Sequence, residues 1–304
     1  MSLLEPCILS ALSLTNRVAV ALSAQEEVRE AVSAPDGIDD TAWWGAGLVI
    51  SPPLDVHPVG PGLAPLMTPG DARDWRTVAD RVHAGGGRIM ASLSHGSTAA
   101  GLRQAVRACT PQDIAALTEM IAASAALAHS ADFDGIELHA GHGSLLDGFL
   151  RSGSNPRQDA YGGPVGHRAR LLLDVCEAVA SVWSVERIGV RLTPWSGPRT
   201  MRDDDTLATF SYVAAALDQL GVGYLHLVEP YPRRRSVLAG LRRDFGGAIL
   251  ASGAATIEEA ETAIASGLAD CVAFPRMPGV LTPGEGGFHA SLASRAAGTS
   301  CSLI

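Results

Sequence analysis

The sequence predicts a closed (β/α)8 TIM barrel, and three observations carry the prediction. Eight short apolar runs recur along the chain, most are followed by a helical pattern, and the alternation continues over about 290 residues with no low-complexity linker. An open dinucleotide-binding sheet would need a glycine fingerprint after its first strand. Here Gly45-Ala46-Gly47 precedes a strand and lacks the third glycine.

In chain order the predicted strands are residues 17–21 (RVAVA), 47–51 (GLVIS), 88–93 (RIMASL), 135–139 (GIELH), 188–192 (IGVRL), 224–228 (YLHLV), 248–251 (AILA) and 271–274 (CVAF). Each is a short run rich in aliphatic residues and bounded by small or polar ones, the pattern of a strand buried on both faces. The helical patterns fall at residues 72–84, 111–130, 167–183, 203–220, 237–245 and 257–266, with residues 99–110 read as a connection. Thr256 stands at an N-cap with Glu259 three residues on, the spacing of a capping box, and Gly267 closes the same helix. Residues 1–304 are read as a single domain, with 281–304 a loosely ordered tail.

Composition narrows the chemistry. With 47% apolar and 18% charged residues the chain can bury a core, and its net charge of −9 and 5% aromatic content argue against a nucleic-acid surface. All 23 basic residues are arginines. The absence of lysine removes a Walker-A site, a pyridoxal-phosphate Schiff base and lysine-dependent aldol chemistry, each of which needs a primary amine. Cys7, Cys109, Cys176, Cys271 and Cys301 are far apart in sequence and form no zinc-spaced cluster, so they read as reduced cytosolic thiols and no metal is expected. The apolar stretch 3–21 imitates a signal peptide, but Glu5 and Asn16-Arg17 interrupt it, and no apolar run reaches membrane-spanning length. A cytoplasmic protein acting on a small molecule, with no nucleic-acid or membrane partner and a possible homo-oligomer, is the expectation.

In such a barrel the C-terminal strand ends surround one pocket. Those ends carry Ser23, Ser51, Ser92 with Ser94 and His95, His139 with His142, Arg191, Glu229, Ser252-Gly253 and Arg276. Histidines and arginines converging on one face suit an anion or a carbonyl oxygen. A zinc reading of His139-x-x-His142 is weaker, because the nearest third ligand, Glu137, has no downstream partner motif.

Residues 133–170 read FDGIELHAGHGSLLDGFLRSGSNPRQDAYGGPVGHRAR. Asp134-Gly135, Glu137, His139-x-x-His142-Gly143, Asn155, Arg157, Asp159, Tyr161-Gly162-Gly163 and Arg168 resemble, in register, the signature of the Old Yellow Enzyme family of FMN-dependent oxidoreductases. Further similarity runs through Asn16-Arg17, Gly189-Val190-Arg191-Leu192, residues 225–230 and 251–253 to Pro275-Arg276. The resemblance implies FMN as cofactor and NADPH or NADH as reductant. It places Ser23, Ala24, Pro53, Ser92, Arg191, Ser252, Gly253, Ala254, Pro275 and Arg276 at the flavin, with the phosphate on Gly253-Ala254 and Arg276 and a cation, Arg191, beside the ring edge that becomes anionic on reduction. It assigns His139 and His142 to a substrate oxygen and Ser144 to the place of the family's proton-donating tyrosine.

Departures from the family pattern sharpen this. Ala24 and Ser92 stand where the family has a threonine or cysteine and a glutamine on the flavin, and Pro53 where a backbone N–H is presented. Shortened connections at 24–43 and 99–110 imply a trimmed cap and an open pocket. The reaction implied is reduction of an electron-poor alkene or enone, or its reverse. The alternative is a redox-silent isomerase, cyclase or binding protein on the same barrel, which the weakened flavin contacts favour and Arg191, Gly253 and Arg276 oppose.

Overall fold

The computed structural model describes residues 2–22, 45–56, 66, 68–96, 101–195, 201–228, 235–254 and 256–275. The chain opens with an antiparallel hairpin, β1 (Cys7–Leu9) and β2 (Leu12–Leu14), followed by β3 (Val18–Ala21), β4 (Leu48–Ile50) and the short β5 (Leu54–Asp55). Then come α1 (Pro69–Ala84), β6 (Arg88–Ser94), α2 (Leu102–Ala108), α3 (Pro111–Ser130), β7 (Gly135–Ala140), α4 (Leu145–Leu150) and α5 (Val165–Ala180). The order continues β8 (Ile188–Leu192), α6 (Thr206–Leu220), β9 (Tyr224–Val228), α7 (Arg235–Asp244), β10 (Ala248–Ser252), α8 (Ile257–Ala265) and β11 (Cys271–Phe274).

Strands β3, β4, β6, β7, β8, β9, β10 and β11 pair in parallel, and β11 returns to β3, so the sheet closes on itself. All eight predicted strands are present, each within a residue of its expected limits. The helix limits follow local chemistry. Thr68 and Thr110 each cap a helix that starts with proline, and Asp71 and Asp113 complete reciprocal capping boxes. At α8, Thr256 accepts the Glu259 N–H as expected, and Gly267 follows the helix with φ +69°.

One feature corrects the sequence reading and another adds to it. Residues 99–110 are not merely a connection, since α2 forms there and packs Leu102 and Val106 against Gly148 of α4. The apolar N-terminus is a barrel floor. Leu9, Leu12 and Leu14 of the hairpin pack with Ala19, Leu48, Ile50, Met90, Tyr224, Leu250, Cys271 and Ala273. Alternation along the hairpin explains this, because Leu9 is buried while Ile8 beside it is 73% exposed.

Asn16 joins floor to barrel. Its side chain donates to Gly45 O (2.8 Å) and accepts from Val18 N and Gly47 N (3.0 Å each), fixing β3 beside β4. Gly47 is required there, because a Cβ would lie 2.3 Å from the Asn16 carbonyl oxygen.

Candidate active site

Register decides which side chains share the barrel interior. Ser92, Glu137, Gly189 and Tyr224 form one cross-strand row, and His139, Arg191 and His226 the next. Glu137 is fully buried, and its Oε2 accepts from the Tyr224 hydroxyl (3.1 Å) and His226 Nδ1 (2.9 Å). Arg191 Nη1 lies 4.0 Å from Glu137 Oε1. A Cβ at Gly189 would sit 2.1 Å from Tyr224 Cζ, so glycine there gives the tyrosine ring its space.

The charge states follow from these contacts. Burial alone would raise the Glu137 carboxyl, but His226, Arg191 and His139 outweigh it and hold it below its ordinary value. Burial lowers His226 against the pull of Glu137, so the ring is neutral. A neutral ring that donates from Nδ1 to a carboxylate accepts at Nε2, which makes Ser252 Oγ (2.7 Å) the donor there. Burial, reinforced by Glu137, pushes the Tyr224 phenol well up and keeps its proton in place.

Above this network stand the two histidines, with rings stacked at 5.6 Å and 15°. Burial followed by the Arg191 charge lowers His139 to about 3, and the same causes in the same order lower the more exposed His142 to about 4. Both are neutral at ordinary pH. They can donate a hydrogen bond to an oxygen without being able to protonate it as imidazolium.

The His142 backbone adopts φ +52°, an uncommon conformation for a side chain of this size. Three contacts hold it. His142 N donates to Thr193 Oγ1 (2.9 Å), and Gly143 N to Asp147 Oδ2 (3.0 Å). Asp147 is paired with Arg151 (2.6 Å), whose guanidinium also donates to the Thr193 and Pro194 carbonyls. The turn after β7 is thus tied to the end of β8. Ser144 belongs to this turn: its hydroxyl donates to His139 O (2.7 Å) and accepts from Asp147 N (3.3 Å), capping α4.

The other signature residues fold the long segment after β7. Asn155 donates to Phe149 and Tyr161 carbonyls, Arg157 to the Val106 and Cys109 carbonyls and the Asp159 carboxylate, and Arg168 to Leu150 O and Thr209 Oγ1. Asp134, at the opposite barrel end, accepts from Ile89 N and meets His83 (2.8 Å).

Of the expected flavin residues, Ser92, Arg191 and Ser252 share the interior around Glu137, while Gly253, with φ +109°, and Ala254 follow β10 and Pro275 follows β11. Pro53 lies between β4 and β5. Ser23, Ala24, Glu229 and Arg276 lie outside the described residues. Tyr224, His226, Thr193, Asp147 and Arg151 carried no assigned role in the sequence. Polar residues at alternate positions of YLHLV were the available signal for the first two.

FMN fits these residues. Buried Ser92 Oγ, His139 Nδ1 and Arg191 Nε have no hydrogen-bond partner among the described residues, and buried polar atoms near a barrel mouth call for a polar ligand. Among the described residues no group of three or more His, Cys, Asp or Glu is placed to hold a metal, and no helix is long and apolar enough to cross a membrane.

A closed parallel barrel with this mouth defines a class, and comparison with known proteins supplies the family. Residues 98–278, more than half of the chain, match the NADH:flavin oxidoreductase / NADH oxidase family. The chain is 29% identical over 267 residues to 12-oxophytodienoate reductase 1 of Oryza sativa subsp. japonica, covering 76% of this chain and 70% of that one. It is 27% identical over 319 residues to 12-oxophytodienoate reductase 2 of Arabidopsis thaliana, covering 90% and 84%. Against another rice relative the alignment spans only 63% of the relative's length. Among solved structures, morphinone reductase in complex with tetrahydroNAD superposes with a TM-score of 0.79 at 30% identity, covering 90% of this chain and 86% of the other. The Old Yellow Enzyme homologue of Zymomonas mobilis gives 0.79 at 26% identity, covering 90% and 88%. The chain belongs to the NADH:flavin oxidoreductase / NADH oxidase family, the Old Yellow Enzyme family, whose members are flavin-dependent oxidoreductases.

Proposed function

We propose that this chain reduces the activated C=C bond of a small enone or related electron-poor alkene, using FMN and NADPH or NADH. The observation that carries the reading is the convergence of neutral His139 and His142 with Arg191 and the unpartnered buried atoms at one barrel mouth. Relatives named as 12-oxophytodienoate and morphinone reductases support it. Arg191, Ser92 and Ser252 are the described residues that would hold the flavin ring side, with Gly253 and Ala254 on the phosphate side. FMN supplies the hydride when bound.

The chain's own residues do the rest. His139 and His142 hydrogen-bond one substrate oxygen, polarising the conjugated alkene so that its β-carbon accepts hydride. Arg191 favours negative charge beside it, and Glu137 in turn holds Arg191 and the lower ring of residues in place. The Ser144 proton is engaged by the His139 carbonyl, so water completes the protonation of the substrate α-carbon. Slow turnover of simple enones follows, because a positioned acid is worth about 10²–10⁴-fold. We place the protein in the cytoplasm, where its reduced thiols are stable.

The test is spectroscopic. Protein purified with, or reconstituted by, FMN should show flavin absorption, and a para-substituted phenol should add a long-wavelength charge-transfer band. His139→Ala and His142→Ala should each weaken phenol binding roughly ten- to hundredfold, the loss of a hydrogen bond to a charged ligand. A protein whose melting temperature and fluorescence ignore FMN would refute the proposal and leave an isomerase or binding role.

A further inference from the structure

A second chemistry-bearing pair lies at the other end of the barrel. Cys7 of β1 and Cys271 of β11 approach to 3.4 Å between sulfurs, the only thiol–thiol contact among the described residues, although 264 positions separate them in sequence. Cys7 is half-buried on the floor hairpin, and Cys271 is buried inside the barrel wall. The hairpin strands pair only with each other, so side-chain packing and the Asn16 junction attach the floor to the sheet. We propose that Cys7 and Cys271 are an oxidation site at which a peroxide converts the two thiols into a disulfide, stapling the floor to the last barrel strand.

The geometry and the surroundings agree. A disulfide needs sulfurs at about 2.05 Å, so the two sulfurs at 3.4 Å must close by about 1.4 Å. The hydrogen bond from Cys271 favours the Cys7 thiolate, burial opposes it, Arg17 favours it and Asp270 opposes it, leaving the thiol below its ordinary range. Cys271 is held well up, first by its hydrogen bond to Cys7 and then by burial. Cys7, the less buried of the two and the one whose proton is the easier to lose, is therefore the thiol that meets oxidant, and Cys271 the resolving thiol.

The Cys7 thiolate attacks one peroxide oxygen; the S–O bond forms, the O–O bond breaks, and hydroxide leaves to become water on taking a proton. Cys271 then attacks the Cys7 sulfur, the S–S bond forms as the S–O bond breaks, and a second water departs with the Cys271 proton. Two thiols supply the two electrons that reduce one peroxide to two waters.

Full-length protein treated with equimolar hydrogen peroxide should lose about 2 Da, the mass of two hydrogens, and regain it with dithiothreitol. Peptide mapping without reductant should recover a Cys7–Cys271 crosslink, and the melting temperature should rise by several degrees, since the bond closes nearly the whole chain into a loop. Phenol binding at the far mouth should be unchanged. Cys7→Ser should abolish the mass loss, and Cys271→Ala should leave Cys7 oxidised beyond a disulfide. Cys176→Ser, a buried thiol away from the pair, should keep the full response. An unchanged mass, a crosslink through another cysteine, or a Cys7 that gains two oxygens in the unaltered protein would overturn the site.

Discussion

The two ends of this barrel's interior are built by opposite rules. At the floor, Leu9, Leu12, Leu14, Leu48, Ile50, Met90 and Leu250 pack as an aliphatic layer, and beside them Arg17 Nε is buried with no hydrogen-bond partner among the described residues while its Nη1 donates to the Asp270 carbonyl. At the mouth, Ser92 Oγ, Glu137 Oε1, His139 Nδ1 and Arg191 Nε are buried with no hydrogen-bond partner among the described residues. Burying an unpaired polar atom costs about 1–3 kcal/mol, so the mouth is held together against its own preference by the packing beneath it. Tyr224 is the seam, its ring in the floor cluster and its hydroxyl on Glu137. A polar ligand belongs at the mouth, where four such atoms gather on one face, rather than at the floor, where Arg17 Nε stands alone among aliphatic side chains.

Glu137 carries the largest part of the mouth's stability. Glu137→Gln removes the anion that faces Arg191 and His226, and loss of one partner of a buried charge set typically costs about 3–5 kcal/mol. Urea unfolding should show that drop; a change below about 1 kcal/mol would mean the mouth does not depend on the carboxylate.

Next comes the seam. Gly189→Ala places a methyl against the Tyr224 ring inside a strand whose backbone is paired on both sides, an overpacking worth about 1–3 kcal/mol. Combining it with Tyr224→Leu should return part of the loss, and a double-mutant cycle with no coupling would place the ring elsewhere.

Acid should weaken the mouth before the floor. His139 is lowered to about 3 in the fold from an ordinary 6.5, so the unfolded chain binds the proton first. Its stabilisation is present above pH 6.5 and is lost progressively as pH falls toward the folded value, the loss reaching about 1.4 kcal/mol by pH 5.5. Unfolding midpoints compared with His139→Gln across pH 7.5 to 5.5 isolate this slope.

The smallest effect belongs to Thr193. Thr193→Val removes the acceptor of the His142 N–H, a bond worth about 1 kcal/mol, and should weaken phenol binding roughly fivefold while Thr193→Ser restores it. Equal losses in both variants would assign Thr193 to packing alone.

Short stretches of this chain decide only local structure. Aliphatic runs of strand length, threonine caps before proline and glycines after helices are decided within a few residues, so all eight barrel strands and the major helices were legible. The family signature was legible too, although most of its polar residues tie loops; Asn155, Arg157 and Arg168 spend their donors on carbonyls rather than facing the mouth. The N-terminal hairpin was not legible as a floor, because its leucines have no partner until the sheet closes. Nor were the Glu137–Tyr224–His226 network, the Thr193 support of His142 or the Cys7–Cys271 contact. Each joins residues on different strands through barrel register, and register is set by closure of the whole sheet, which no stretch of sequence contains.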